Sequence, residues 1–202
     1  GVDKYASPLE MAGAYAAFGN EGIYTKPHVV KKVVLRDGDT VVETAPESEV
    51  AMKDSTAFMI TNVLQDVVTK GTGTRANIPG LHIAAKTGTT NYAEEDRLKH
   101  NISKSSSPDA WFIGYTTNFT MSVWTGYDKQ LQNPLSKEDT RIAAQIFKTM
   151  MGKMSQNVPT ENFKQPNSVV KVGIEKGTFP IVKASEYTPS SKISYEYFVK
   201  GH

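Results

Sequence analysis

Ala84-Ala85-Lys86-Thr87-Gly88-Thr89-Thr90-Asn91 is the stretch on which the reading of this sequence turns. It completes a run with strand character from His82 to Thr89. The residues before the lysine are small and Gly88 lies within the run, so a ligand or a second backbone can approach closely. Lys86 supplies a fixed positive charge and a proton-relay partner. The hydroxyls of Thr87 and Thr89 can donate to a carboxylate, and Gly88 frees the edge so that the Thr89 amide can face a bound carbonyl. A cation, two hydroxyls and an exposed N–H are what acyl transfer needs around a developing oxyanion. On four residues alone, a strand-to-turn exit with a solvated lysine fits the same spelling.

Working outward, Ser7-Pro8-Leu9-Glu10 predicts a helix start: Ser7 caps, Pro8 suits the first helical position and Glu10 completes a capping box. Leu9, Ala12, Gly13 and Ala16 share one face and Met11, Tyr15 and Phe18 another, which predicts a helix buried on most sides and stopped by Gly19 and Gly22. Valines flank Asp37-Gly38 between Val29 and Val42, the pattern of a hairpin with a two-residue turn. A second helix starts at Asp54 or Ser55, turns Ala57, Ile60, Thr61, Leu64, Val67 and Val68 inward and ends at Lys70-Gly71. Gly71-Thr72-Gly73-Thr74 reads as a flexible connection into the lysine strand. Trp111, Ile113 and Tyr115, then Met121 and Val123, alternate along two further strands joined at Thr116-Thr117-Asn118. Ser136-Lys137-Glu138-Asp139 resembles a second capping box, ahead of a helix whose inner face is read as Ile142, Ile146 and Met150 with Ala143 and Phe147 beside them. From Asn157 prolines break up short β-prone runs such as Val169 to Ile174. The expected division is therefore 1–156 for the main body and 157–202 for a linker and small β-rich tail. Helices interleaved with hairpins predict an α/β class with an antiparallel sheet.

Composition narrows the chemistry. The 202 residues carry 23 basic and 21 acidic side chains, scattered along the chain, so no nucleic-acid patch is expected. There is no cysteine, which excludes a disulfide framework, a zinc–thiolate site and a thiol nucleophile. His28, His82, His100 and His202 are dispersed and no metal site or cofactor is expected. His82 reads as a partly buried packing residue, Glu94-Glu95-Asp96 as a solvated loop tip, and Trp111 and Trp124 as core. Asn101-Ile102-Ser103 and Asn118-Phe119-Thr120 match the glycosylation triplet and are discounted, the pattern being common. No apolar run approaches the roughly 20 residues that cross a bilayer, and no signal peptide is visible. A start at Gly1-Val2-Asp3 reads as a piece of something longer.

At this point the sequence resembles the penicillin-binding proteins, whose third motif is Lys-Thr/Ser-Gly on an inner edge strand. Ser7-Pro8-Leu9-Glu10-Met11-Ala12, Ala14-Tyr15-Ala16-Ala17-Phe18, Gly71-Thr72-Gly73, Asp109-Ala110-Trp111-Phe112-Ile113-Gly114-Tyr115 and Val123-Trp124-Thr125-Gly126-Tyr127-Asp128 look like the family's flanking elements, covering Ser7 to Met154. The spelling Trp124-Thr125-Gly126-Tyr127 and the tail from Phe163 to Ile174 look like the bifunctional class A enzymes, which pair a glycosyltransferase with this domain. The resemblance implies the penicillin-binding protein and serine β-lactamase-like fold, present here as a partial domain with a small β-rich C-terminal appendage. It implies a serine D,D-transpeptidase of bacterial peptidoglycan synthesis, acting on stem peptides ending in D-Ala-D-Ala and blocked by β-lactams. Lys86 and Thr89 take the catalytic positions, and Thr87, Gly88, Thr89 and Asn91 those along the substrate. It also implies a place on the outer face of the cytoplasmic membrane, held by an N-terminal anchor outside this chain.

The family's order is Ser-x-x-Lys, Ser-x-Asn, then Lys-Thr-Gly, and nothing upstream of Lys86 matches the first two. Ser168-Val169-Val170-Lys171 and Ser155-Gln156-Asn157 match by letter downstream, but in reversed order. Ser168 sits between Pro166 and a β-branched pair rather than at a helix start, where serine and lysine would align one turn apart. Both are rejected. The nucleophile and the second motif are expected on an upstream half of the same domain, which makes this half its partner and inactive alone. A D,D-carboxypeptidase, a β-lactamase or a non-catalytic β-lactam sensor uses the same strand motif, and a β-rich binding module with a surface Lys86 remains open beside them.

Overall fold

The computed structural model describes residues 6–201; Gly1-Val2-Asp3 and His202 lie outside the described residues. The first helix, α1 (Pro8–Gly19), begins at the expected capping box. The Glu10 N–H donates to Ser7 Oγ at 3.2 Å and the Ser7 N–H donates back to Glu10 Oε2 at 2.7 Å, satisfying two donors the helix itself leaves free. Its buried residues are Gly13 and Ala17, while Leu9 is 59% exposed. Past this exposed first turn only Ala14 is exposed, and Met11, Ala12, Tyr15, Ala16, Phe18 and Gly19 are half-buried, so the helix is covered on most sides, close to the expectation.

Strand β1 (Ile23–Thr25) is followed by β2 (Lys32–Val34), β3 (Val41–Glu43) and β4 (Ser48–Val50). β1 pairs with β4 and β2 with β3, both antiparallel. The valine hairpin forms, but its turn is wider than the two residues expected. The Leu35 N–H donates to the Thr40 carbonyl at 2.9 Å, leaving Arg36 to Asp39 as a four-residue loop. The Asp37 carboxylate accepts from the Asp39 and Thr40 N–H groups at 3.1 and 2.9 Å, which satisfies the donors of the larger loop.

Helix α2 (Asp54–Thr69) buries Ser55, Ala57, Thr61, Leu64 and Val68. Strand β5 (Ala84–Thr89) starts two residues after His82, whose side chain is exposed rather than packed. Glu94-Glu95-Asp96, expected in a loop, forms the first turn of α3 (Glu94–Lys99). Carboxylates at that end and Arg97 and Lys99 at the other complement the helix dipole, which a loop reading of the charge run overlooks. Strands β6 (Asp109–Tyr115) and β7 (Thr120–Gly126) then complete an antiparallel sheet in the order β5-β6-β7.

Ser136 and Asp139 bond reciprocally at 2.9 and 3.2 Å, ahead of a short turn (Asp139–Arg141) that leads into α4 (Ile142–Ser155), whose own N-cap residue, Arg141, makes no side-chain cap bond. The helix is rotated from the expected setting. Ala143, Ala144, Phe147 and Met151 face the sheet, and Ile142, Ile146 and Met150 are exposed. Both stripes are apolar, so periodicity alone does not choose between them. The ring of Phe147 decides, because it fits over Gly114: a Cβ there would lie 2.8 Å from Phe147 Cζ. The chain ends in an antiparallel pair, β8 (Val169–Glu175) with β9 (Ile193–Val199).

The two faces of the sheet carry separate cores. Ala85 and Phe112 pack with Val68, Ala143, Ala144, Phe147 and Met151, so α4 covers that face. Ala84 and Tyr115 pack with Leu64, Tyr15 and Phe18, which places α1 on the other. An antiparallel sheet flanked by helices is the architecture expected from sequence.

Candidate active site

β5 pairs only with β6, so its other edge is open among the described residues. Along that edge lies a cleft of about 940 Å³. Lys86, Thr87, Gly88, Thr89 and Asn91, the residues singled out from sequence, all line it. Opposite them stand Pro8, Met11 and Tyr15 from the start of α1, and its floor includes Trp111, Ile113 and Trp124. The wall is therefore mostly apolar with a short polar strip, the usual composition of a small-molecule site.

Side chains alternate along β5. Lys86 and Gly88 pair with Ile113 and Trp111, while Thr87 and Thr89 pair with Phe112 and Ala110 on the opposite face. Lysine and threonines thus meet only across the open edge. Lys86 Nζ donates to the Thr87 carbonyl at 2.6 Å, and no ion pair involves it among the described residues. The Thr87 hydroxyl lies 3.0 Å from that of Thr72, so Gly71-Thr72-Gly73-Thr74 is tied to the strand rather than being only a flexible connection. A Cβ at Gly88 would lie 3.3 Å from Trp111 Cβ, a tight contact that glycine relieves.

Sequence reasoning missed several residues of this cleft. Trp111 and Trp124, expected in the core, line it, and Trp124 is 37% exposed. Thr90 Oγ1 donates to Asp109 Oδ1 at 2.7 Å, and Trp124 Nε1 donates to Asp109 Oδ2 at 3.3 Å. The alternation of β6 and β7 carried a signal, because Trp111 and Trp124 share a register pair and the Lys86 face. Tyr92 donates to the Gln130 carbonyl at 2.8 Å, pinning the chain just past the strand. Loss of solvent raises its phenol pKa, and the nearby Asp109 carboxylate adds to this. Tyr15 is raised by burial alone.

Ser155 and Ser168 do not line this cleft. Ser168 Oγ donates to Asp54 Oδ1 at 2.9 Å, and Lys171 lies over the rings of Tyr195 and Tyr197. No group of three or more His, Cys, Asp or Glu side chains is placed to hold a metal among the described residues. No helix there is long and apolar enough to cross a membrane.

The family model for the penicillin-binding protein transpeptidase domain matches residues 1–152, and that for the C-terminal domain of penicillin-binding protein 1A matches residues 165–202. Penicillin-binding protein 1A/1B of Bacillus subtilis is 44% identical over 203 aligned positions, covering 100% of this chain and 22% of that protein. The chain thus spans about a fifth of that relative's length. A penicillin-binding protein structure from Mycobacterium tuberculosis aligns at 27% identity and TM-score 0.64, over 79% of this chain and 41% of that one. Penicillin-binding protein 1A of Haemophilus influenzae has the same fold, with TM-score 0.70 at 20% identity over 97% of this chain and 32% of that one.

Proposed function

This chain belongs to the penicillin-binding protein transpeptidase family, and we propose that it forms the substrate-holding side of a serine D,D-transpeptidase that cross-links peptidoglycan. The observation that carries the reading is the placement of Lys86-Thr87-Gly88-Thr89 on the open edge of a sheet, facing an apolar cleft. The nucleophilic serine, its lysine and the Ser-x-Asn residues lie on an upstream half of the domain. Residues 1–156 are the C-terminal portion of that domain, and 157–202 are a linker and appendage.

A donor stem peptide ending in D-Ala-D-Ala lies along β5, its terminal carboxylate held by Thr87 and Thr89. The serine oxygen adds to the penultimate carbonyl, and its proton passes into the network that Lys86 keeps correctly charged. The Thr89 N–H and the N–H of the serine stabilise the oxyanion. The C–N bond breaks and D-alanine leaves with the proton on its nitrogen; an amine of a neighbouring stem then adds to the acyl carbon, the ester C–O bond breaks, and the proton the amine loses returns to the serine oxygen. Support for the Thr89 amide comes from Lys86, which reaches the Thr87 carbonyl. Backbone polar groups two residues apart in a strand point the same way, so Thr89 turns its own toward the edge that Thr87 uses. Asn91 touches the substrate at the strand exit. A β-lactam mimics the donor and acylates the serine, and the route needs no cofactor or nucleic acid. The enzyme works on the outer face of the bacterial cytoplasmic membrane, anchored by a segment outside this chain.

Fluorescent penicillin provides the test. The complete domain is expected to become covalently labelled and this chain alone to remain unlabelled; an unlabelled complete domain ends the enzyme reading. Thr87→Ala should slow acylation about tenfold or more, given what a hydrogen bond to a charged group contributes. An unchanged rate removes Thr87 from the carboxylate site. Release of bound penicillin within seconds would favour a β-lactamase or carboxypeptidase over a transpeptidase.

A further inference from the structure

The ladder that fixes β5 runs from Ala84↔Tyr115 to Thr89↔Ala110 and stops there. Thr90 and Asn91 continue along the cleft without a strand partner. What reaches across to Thr90 is the Asp109 carboxylate, the one carboxylate lining the cleft among the described residues. One of its oxygens accepts from Thr90 Oγ1 at 2.7 Å and the other from Trp124 Nε1 at 3.3 Å. The position is prepared on both sides. Asp109 is the first residue of β6, paired with Gly126, so its backbone is fixed. The indole reaches it by lying over Gly126, where a Cβ would come within 2.5 Å of Trp124 Cζ2.

We propose that Asp109 is a positioning residue for acyl transfer. It clamps the residue that follows the strand, so that the Thr89 amide and Asn91 keep their direction into the cleft. It also fixes Trp124 as the cleft wall. This inference rests on the reading of the Thr89 N–H as an oxyanion donor. A donor stabilises the oxyanion only when aimed at the place where charge develops, and small displacements cost much of its effect. Past Thr89 the backbone has no ladder to hold that aim. Tyr92, bonded to the Gln130 carbonyl at 2.8 Å, holds the chain two residues further on, so the Thr90–Asp109 bond is the hold nearest to Thr89.

The test uses the complete domain and benzylpenicillin, with stopped-flow kinetics separating the acylation rate constant from the affinity of the non-covalent complex. Asp109→Ala and Thr90→Val are each expected to lower the acylation constant about tenfold. The double variant should fall little further, since both remove one clamp. Asp109→Asn keeps an acceptor for Thr90 and should recover most of the rate. A purely structural role would lower the fraction of protein that labels and leave the rate constant of the folded fraction unchanged. A wild-type rate constant in Asp109→Ala overturns the inference, as do losses that add in the double variant. If the unsubstituted domain takes no label, the underlying acyl-transfer reading fails instead, and the two failures are told apart.

Discussion

Thr61 and Tyr115 meet inside the core at 2.8 Å, with side chains 1% and 0% exposed. Burial pushes the Tyr115 phenol well above its ordinary pKa, so it stays neutral, and the Thr61 hydroxyl is the partner that satisfies it. Removing either partner has unequal consequences. Thr61→Val leaves the Tyr115 hydroxyl orphaned and should cost about 1–3 kcal/mol. Tyr115→Phe should cost less, about 1 kcal/mol, because Thr61 still reaches the Phe18 carbonyl at 3.4 Å. Chemical denaturation of the two variants checks the order, and a larger loss for Tyr115→Phe would contradict it. The lysine, threonines and glycine of β5 were legible in the sequence because their chemistry is local to one strand. Asp109 and Thr90 were not, since a contact across 19 residues exists only once the strands pair.

The capping box of α1 and the reciprocal Ser136–Asp139 pair ahead of α4 give these segments a pH dependence. Glu10 is held below the usual glutamate range first by the Ser7 backbone N–H and then by its hydroxyl. Asp139 is lowered first by the Ser136 hydroxyl and then by its backbone N–H. Both are carboxylates with folded pKa values depressed below their unfolded ones. Their contribution is therefore complete above about pH 4–5 and is lost as pH falls through the folded values. Thermal melts from about pH 6 to about pH 3 should show a falling midpoint, part of which Glu10→Gln with Asp139→Asn removes. An acid dependence identical in that double variant would sink the assignment. α4 supplies a second check at this scale. Phe147→Ala should cost about 3–5 kcal/mol, while Ile146→Ala, on the exposed stripe, should cost less than about 1 kcal/mol. Comparable losses would mean that the helix sits in the setting expected from sequence. Caps were legible because they are written within four residues. The rotation of α4 was not, because two apolar stripes compete and only the fit of Phe147 against Gly114 chooses.

At the scale of the whole molecule, the C-terminal segment is tied to the body by side chains. Asn118 Nδ2 donates to the Pro159 carbonyl at 2.8 Å, and the Phe163 and Tyr115 rings meet edge to face at 5.5 Å. Tyr197 of β9 meets Phe58 of α2 at 5.1 Å. Truncation after Asn157 removes all three contacts, whereas truncation after Pro166 keeps the first two. The shorter chain is expected to be less stable than the longer one by about 1–3 kcal/mol, measured by urea unfolding. Equal stabilities would show that the linker contributes nothing to the core. The sequence by itself determined the starts of α1 and α2, the alternation of β6 and β7, the lysine strand and the family, because each rests on neighbours along the chain or on spelling. Tertiary structure alone decided which stripe of α4 is buried, that Trp111 and Trp124 face a cleft, and that Asp109 grips the exit of the lysine strand. Those outcomes depend on shape fit and on pairing between distant segments, for which a linear pattern carries no distance. Lys86-Thr87-Gly88-Thr89 was readable as chemistry, and the open edge and cleft in front of it became readable only once β6 had closed one side of the strand and left the other free.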